Sequence, residues 1–195
     1  MPRPILITAA LVACLLTGVS HADAVVRLTT SKGDIDIELY PDRAPDTVAN
    51  FLQLVDDGFY EGLIFHRVLA NFVIQAGGYE PNLTYREPPR TVKNESTIRL
   101  GNKKGTVAMA RMTDPDSADA QFFINVRNND YLNAAPGKPG YTVFGKVIEG
   151  WDTVVEIELT DVGMRQGMQG VPTEPVVIHR AVRLEPPAAA GKSAP

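Results

Sequence analysis

The sequence predicts a mainly β fold, a closed barrel or a sandwich, with two helices covering its open ends. Three observations carry this expectation. Short apolar and β-branched runs recur along the chain between turn-forming residues, only two stretches show the apolar period of a helix, and no internal repeat divides the sequence. At 195 residues, 44% hydrophobic and 22% charged, the composition is that of one globular domain.

The elements follow in order. Val25 to Thr30 and Asp34 to Leu39 flank Ser31-Lys32-Gly33 and read as a hairpin. Its second arm alternates acidic and aliphatic residues, as a half-buried strand does. Pro45 suits the first position of a helix, where its missing N–H is not needed. Val48, Phe51, Leu52 and Val55 then supply an apolar stripe, and Gly58 closes the helix. Phe65–Val68 and Phe72–Gln75 are strands, followed by an irregular polar, proline-rich stretch over 80–104. Val107–Ala110, Phe122–Val126 and Tyr141–Val147 are further strands, with a loop at 112–120. Trp151, Val154 and Val155 share a face of a second helix, and 176–182 makes the last strand. The alanine- and proline-rich residues 185–195 predict a disordered tail, so the folded domain spans 25–184.

Residues 1–24 read as a cleavable export signal. Arg3 gives a positive start, Ile5 to Val19 is an apolar run, and Ala22-Asp23-Ala24 has the A-x-A form of a cleavage site. The run falls short of the roughly 20 apolar residues of a membrane span. Cleavage after Ala24 would leave 171 residues, without cysteine, soluble in the periplasm. Leu11-Val12-Ala13-Cys14 offers a competing reading as a lipid-attachment motif, but Leu15-Leu16 prolong the apolar run past the cysteine, where a lipoprotein turns polar.

Several chemistries lack parts. The net charge of −4 supplies no basic footprint for nucleic acid. A single cysteine, Cys14, allows no intrachain disulfide and no cysteine-based metal cluster. Beyond the signal only His66 and His179 remain, without metal-ligand spacing. The chain has no G-x-S-x-G, Walker loop or G-x-G-x-x-G. What stands out is Arg67 and Gln75, set into two apolar strands with Phe72 between them, and a second block from Val107 to Arg111 followed by Gln121-Phe122-Phe123-Ile124. Taken singly, each has a bland reading: an arginine whose stem packs while its head reaches water, a surface glutamine, core phenylalanines. Taken together, they imply an apolar pocket with fixed donors and no nucleophile, suited to holding and twisting a peptide rather than cutting it.

Four blocks, Phe65-His66-Arg67-Val68, Phe72-Val73-Ile74-Gln75, Gln121-Phe122-Phe123-Ile124-Asn125 and Val143-Phe144-Gly145-Lys146-Val147, resemble the cyclophilin-type peptidyl-prolyl cis-trans isomerases in order and spacing. The resemblance runs from about Val25 to Leu184, and is nearest to the periplasmic members of Gram-negative bacteria through the signal, Ala108-Met109-Ala110-Arg111 and Gly140-Tyr141. It implies a closed eight-stranded antiparallel β-barrel capped by two α-helices. It assigns the catalytic arginine to Arg67 and a supporting glutamine to Gln75. The proline pocket maps to Phe72, Val73, Phe123 and Leu132, and the peptide-binding edge to Ala110, Arg111 and Gln121.

The chain departs from the family pattern at several positions. Val73 stands where methionine is usual, Tyr131 where many eukaryotic members have tryptophan, Tyr141 where histidine lies, and Ala70-Asn71 where Pro-Gly is common. Tyr131 and Tyr141 remain substrate-binding candidates, and their identities imply poor inhibition by cyclosporin-type peptides, which accept a hydrogen bond from the family's indole. The resemblance implies no cofactor and no metal. The implied partners are proline-containing unfolded or folding polypeptides, met by a monomer that binds no nucleic acid and does not insert in the membrane. A proline-peptide-binding chaperone without catalysis is the rival reading, and Arg67 discriminates, since a binder does not need it.

Overall fold

The computed structural model describes residues 24–97 and 99–184. The predicted signal, apart from Ala24, and the predicted tail over 185–195 lie outside the described residues. Among the described residues ten strands and two α-helices follow one another, besides two short 3-10 turns: β1 (Val25–Thr30), β2 (Gly33–Leu39), α1 (Pro45–Asp56), β3 (Phe65–Leu69), β4 (Val73–Ala76), β5 (Thr106–Met109), β6 (Phe122–Asn125), β7 (Val143–Glu149), α2 (Trp151–Glu158), β8 (Val162–Arg165), β9 (Met168–Pro172) and β10 (Ile178–Leu184).

Eight strands form one antiparallel sheet in the order β10-β1-β2-β7-β5-β6-β4-β3, while β8 and β9 pair separately. The predicted closed barrel differs from this ladder order. The edge strands β10 and β3 are joined by an isolated bridge between Ile64 and Val177, with backbone bonds from Phe65 N–H to the Val176 carbonyl and from Ile178 N–H to the Leu63 carbonyl, and not by a continuous ladder. Beyond that point β9 lies along β3. Gly170 makes the close approach possible: its φ is +75°, and a Cβ there would lie 2.8 Å from the Val68 carbonyl oxygen. The β8–β9 hairpin has no counterpart in the expected elements.

Alternation along the central strands separates two apolar clusters. Val68, Ile74, Ala76, Phe122, Ile124, Val107 and Met109 face the main core with the apolar residues of β1 and β2. Helix α1 packs onto this side, its Phe51 ring 5.6 Å from Phe122 and 5.0 Å from Phe144. Val73, Ala108, Phe123 and Val143 point the other way into a second cluster, against Phe72, Ala110, Leu132 and Tyr141. These strands are buried on both faces, which is why they read as nearly continuous apolar runs.

Both helices lie where the sequence puts them, with instructive details. Pro45 opens α1, and Gly58, with φ +67°, follows its end. Ala44 cannot cap the first turn with its side chain; the Glu95 carboxylate accepts from Asp46 and Thr47 N–H instead, at 3.1 and 2.8 Å. In α2 the buried residues are Val154 and Ile157, with Trp151 partly buried against the core.

Candidate active site

Strand register brings the polar pair together. Arg67 on β3 lies opposite Gln75 on β4, and Gln75 lies opposite Phe123 on β6. Directly opposed residues share a face of a sheet, and Val73, two residues before Gln75, shares it too. Arg67 Nη1 donates to Gln75 Oε1 at 3.4 Å, and Gln75 Nε2 donates to Gln121 Oε1 at 3.0 Å. Arg67 lines two adjoining cavities, and among the described residues no carboxylate forms an ion pair with it.

The other walls come from irregular segments. Phe72 sits in the β3–β4 turn, not in the predicted strand. The turn is tight because Phe72 N–H bonds the Leu69 carbonyl and Asn71 takes φ +56°, a conformation asparagine tolerates better than most residues. The Phe72 ring lies 5.9 Å from the Arg67 guanidinium carbon. Tyr141 leaves the strand predicted for it because its N–H bonds the Leu132 carbonyl. Its ring meets Phe123 edge-on at 5.6 Å. Arg111 lies over that ring at 4.7 Å while donating to the Gly140, Pro139 and Met112 carbonyls. Ala110 falls just past β5, held by a bond from its N–H to the Gln121 carbonyl.

A cavity of about 200 Å³ is lined by Arg67, Phe72, Val73, Gln75, Ala110, Arg111, Phe123, Leu132 and Tyr141, all of them residues singled out in the sequence. Gln121 lines the adjoining cavity instead. Tyr131 lines neither; it is 62% exposed and stacks on Phe72 with ring centroids 5.7 Å apart.

The adjoining cavity, about 660 Å³, shares Arg67, Gln75, Ala110 and Arg111 with the smaller one. Its further walls include His66, Tyr79, Tyr85, Met112, Asp119 and Met168, which sequence reasoning did not assign. His66 is buried, its ring tilted against that of Tyr79 with centroids 4.6 Å apart, and has an unpartnered Nδ1. Burial first, and the nearby Arg67 charge to a lesser degree, bring its pKa down to about 4. At neutral pH the imidazole is therefore uncharged, and Arg67 is not crowded by a second cation. Tyr85 donates to Asp119 at 2.7 Å, and burial together with that carboxylate raises the phenol's pKa. The histidine beside Arg67 was the one available sequence signal for this second cavity. Met168 comes from a hairpin with no periodic pattern to announce it.

Comparison with known proteins identifies the family. The family model for cyclophilin type peptidyl-prolyl cis-trans isomerase/CLD matches residues 25–183. A peptidyl-prolyl cis-trans isomerase of Acinetobacter baylyi is 45% identical over 164 residues, 84% of this chain and 87% of the relative. Peptidyl-prolyl cis-trans isomerase B of Escherichia coli is 46% identical, covering 80% of this chain and 96% of the relative. Among solved structures, a cyclophilin type peptidyl-prolyl cis-trans isomerase of Cryptosporidium parvum superposes with a TM-score of 0.72 at 26% identity, covering 85% of this chain and 100% of that one. With the family matched across the whole sheet and both helices, this chain belongs to the cyclophilin-type peptidyl-prolyl cis-trans isomerases.

Proposed function

We propose that this chain accelerates rotation about X-Pro bonds in exported polypeptides, assisting their folding, with Arg67 stabilising the twisted amide above an apolar proline pocket. Rotation about a peptide bond faces a barrier of roughly 18–20 kcal/mol because C–N resonance must be broken. For X-Pro the two isomers are close in energy yet exchange over tens to hundreds of seconds. The enzyme needs to favour only the twisted state, in which the prolyl nitrogen becomes pyramidal and gains a lone pair. Phe72, Val73, Phe123 and Leu132 hold the ring. The guanidinium of Arg67 donates toward that nitrogen or the prolyl carbonyl beside it, and its fixed fork and permanent charge suit a preorganised donor. Gln75 orients Arg67 and is itself held by Gln121. Tyr131, Tyr141, Ala110, Arg111 and Gln121 take the flanking peptide.

The observation that carries this reading is the cross-strand row Arg67–Gln75–Phe123, which sets one charged donor beside an apolar floor. The small cavity is lined by no serine, threonine, cysteine, histidine or carboxylate among the described residues, so binding and donation are the chemistry it offers. The chain is taken to act as a monomer, and the A-x-A pattern before Val25 favours delivery to the periplasm over lipid anchoring at Cys14. The test is an isomerisation assay on an X-Pro peptide. Arg67→Ala should lower kcat/KM about a hundredfold, on the order of 3 kcal/mol, with peptide affinity far less changed. Equal activity of variant and parent would sink the Arg67 mechanism, whereas a parent that binds the peptide without accelerating isomerisation would leave the peptide-binding chaperone.

A further inference from the structure

Part of the proline pocket stands on strands and part on turns, including a short 3-10 turn over Asp130–Leu132. Arg67, Val73, Gln75 and Phe123 are fixed by ladder bonds, whereas Phe72, Leu132 and Tyr141 lie outside any strand. A site on loops keeps its geometry only if supporting hydrogen bonds hold it. Behind these loops lie three buried asparagines from separate segments, Asn102 (0% exposed), Asn125 (0%) and Asn129 (1%).

Their bonds form one connected set. Asn125 on β6 donates to Asn102 Oδ1 at 3.2 Å and to Thr106 Oγ1 at 3.0 Å, and accepts from Asn129 Nδ2 at 2.8 Å. Asn129 Nδ2 also donates to the Phe72 carbonyl at 3.0 Å, the same oxygen that accepts from Val126 N–H. Asn102 Nδ2 donates to the Leu132 carbonyl at 3.3 Å, the oxygen that also accepts from Tyr141 N–H. Two backbones tie the set together: Asn129 N–H donates to the Asn102 carbonyl at 2.8 Å, and Leu132 N–H to the Asn129 carbonyl at 2.9 Å. The three side chains thus reach the main chain of Phe72 on one wall and of Leu132, with Tyr141 bound to it, on the other. None of the three lines either cavity. Asn129 Oδ1 stays buried without a partner, so its amide is held there at a cost that core packing alone does not explain.

We propose that Asn102, Asn125 and Asn129 are positioning residues that set the spacing between the Phe72 and Leu132 walls of the proline pocket. This rests on the isomerase reading above. The walls grip the ring in the ground state and in the twisted state alike. Loosening them should therefore weaken both equally and appear in KM, whereas loss of the Arg67 donor appears in kcat.

The experiment compares Asn129→Ala with Arg67→Ala and with Thr30→Ala, in the same isomerisation assay. Thr30 is a remote control, its hydroxyl bonding Gly33 and Lys32 in the β1–β2 turn. Asn129→Ala should raise KM about tenfold with kcat within about twofold of the parent. In a Phe72→Ala background it should add almost nothing, because the wall it positions is gone. Should Asn129→Ala fail to fold, Asn129→Ser carries the same comparison with a shorter polar group. An unchanged KM accompanied by a Tm loss like that of Thr30→Ala would overturn the proposal. So would a full additional effect in the Phe72→Ala background. An inactive parent would instead overturn the isomerase reading itself.

Discussion

Arg67 has neighbours that do not neutralise its charge: a neutral amide at 3.4 Å, an aromatic face and a buried imidazole that is uncharged at neutral pH. That imidazole couples the site to acid. Above pH 6.5, the ordinary histidine value, His66 is neutral in both folded and unfolded chains and contributes nothing to pH dependence. Between 6.5 and its folded value of about 4 the unfolded chain takes up a proton that the folded chain excludes, so stability falls as pH falls. The full loss approaches about 3 kcal/mol near pH 4. Urea denaturation at pH 7 and pH 4.5 should show the parent losing about 2–3 kcal/mol more than His66→Gln across that interval; parallel losses would contradict the burial argument. Tyr131 makes the opposite kind of prediction, one about ligand and not stability. It is exposed and stacked on Phe72, so Tyr131→Trp can add an indole donor without repacking the core. Cyclosporin-type peptides should inhibit the parent weakly and the variant more tightly, by about 0.5–1.5 kcal/mol for the hydrogen bond. An inhibitor titration giving equal constants would show that this position does not set the difference.

At the scale of elements, the first helix depends on a residue far along the chain. Ala44 offers no side-chain cap, and Glu95 supplies both acceptors from the long 80–104 stretch. Glu95→Ala should therefore cost about 1–2 kcal/mol in chemical denaturation, while kcat/KM stays at the parent's value, because the helix packs on the face of the sheet away from the pocket. A neutral result would mean that water replaces the carboxylate at no cost. Such a cap was invisible in the sequence because its partners are 48 and 49 residues apart. Local signals were legible: Ser31-Lys32-Gly33 between alternating strands gave the hairpin, and Pro45 and Gly58 marked both limits of α1. The β8–β9 hairpin is not legible because Gly163, Gly167 and Gly170 interrupt its alternation and β8 buries none of its residues fully. Phe72 and Tyr141 were read as strand residues because periodicity reports side-chain character, whereas Asn71 and the Leu132 carbonyl pull their backbones out of the ladder.

For the molecule as a whole, the complete set of nine pocket residues, scattered from position 67 to 141, is legible only through a family resemblance, since no spacing rule in the sequence places Leu132 beside Phe72. The way the sheet's two edges meet was equally hidden, because it rests on an isolated bridge between Ile64 and Val177, two residues just outside β3 and β10. The place where the fold begins bears directly on the proposed export. β1 is an interior strand, paired with β10 on one side and β2 on the other from Val25 onward, and its Val26 and Leu28 are fully buried. Cleavage after Ala24 would leave both ladders whole and forfeit the bond from Leu39 N–H to the Ala24 carbonyl and the packing of one partly buried alanine. A chain starting at Leu28 would instead lose half of β1 and one buried valine between two strands that need it as a partner. Protein recovered from the periplasmic fraction should thus begin at Val25, with a mass corresponding to 25–195, and should unfold cooperatively. A version starting at Leu28 should fail to fold. Mass spectrometry of the exported protein decides between the two readings of the first residues: a diacylglyceryl-modified species beginning at Cys14 would replace the soluble protein with a tethered one, held to a membrane by a linker leading into β1.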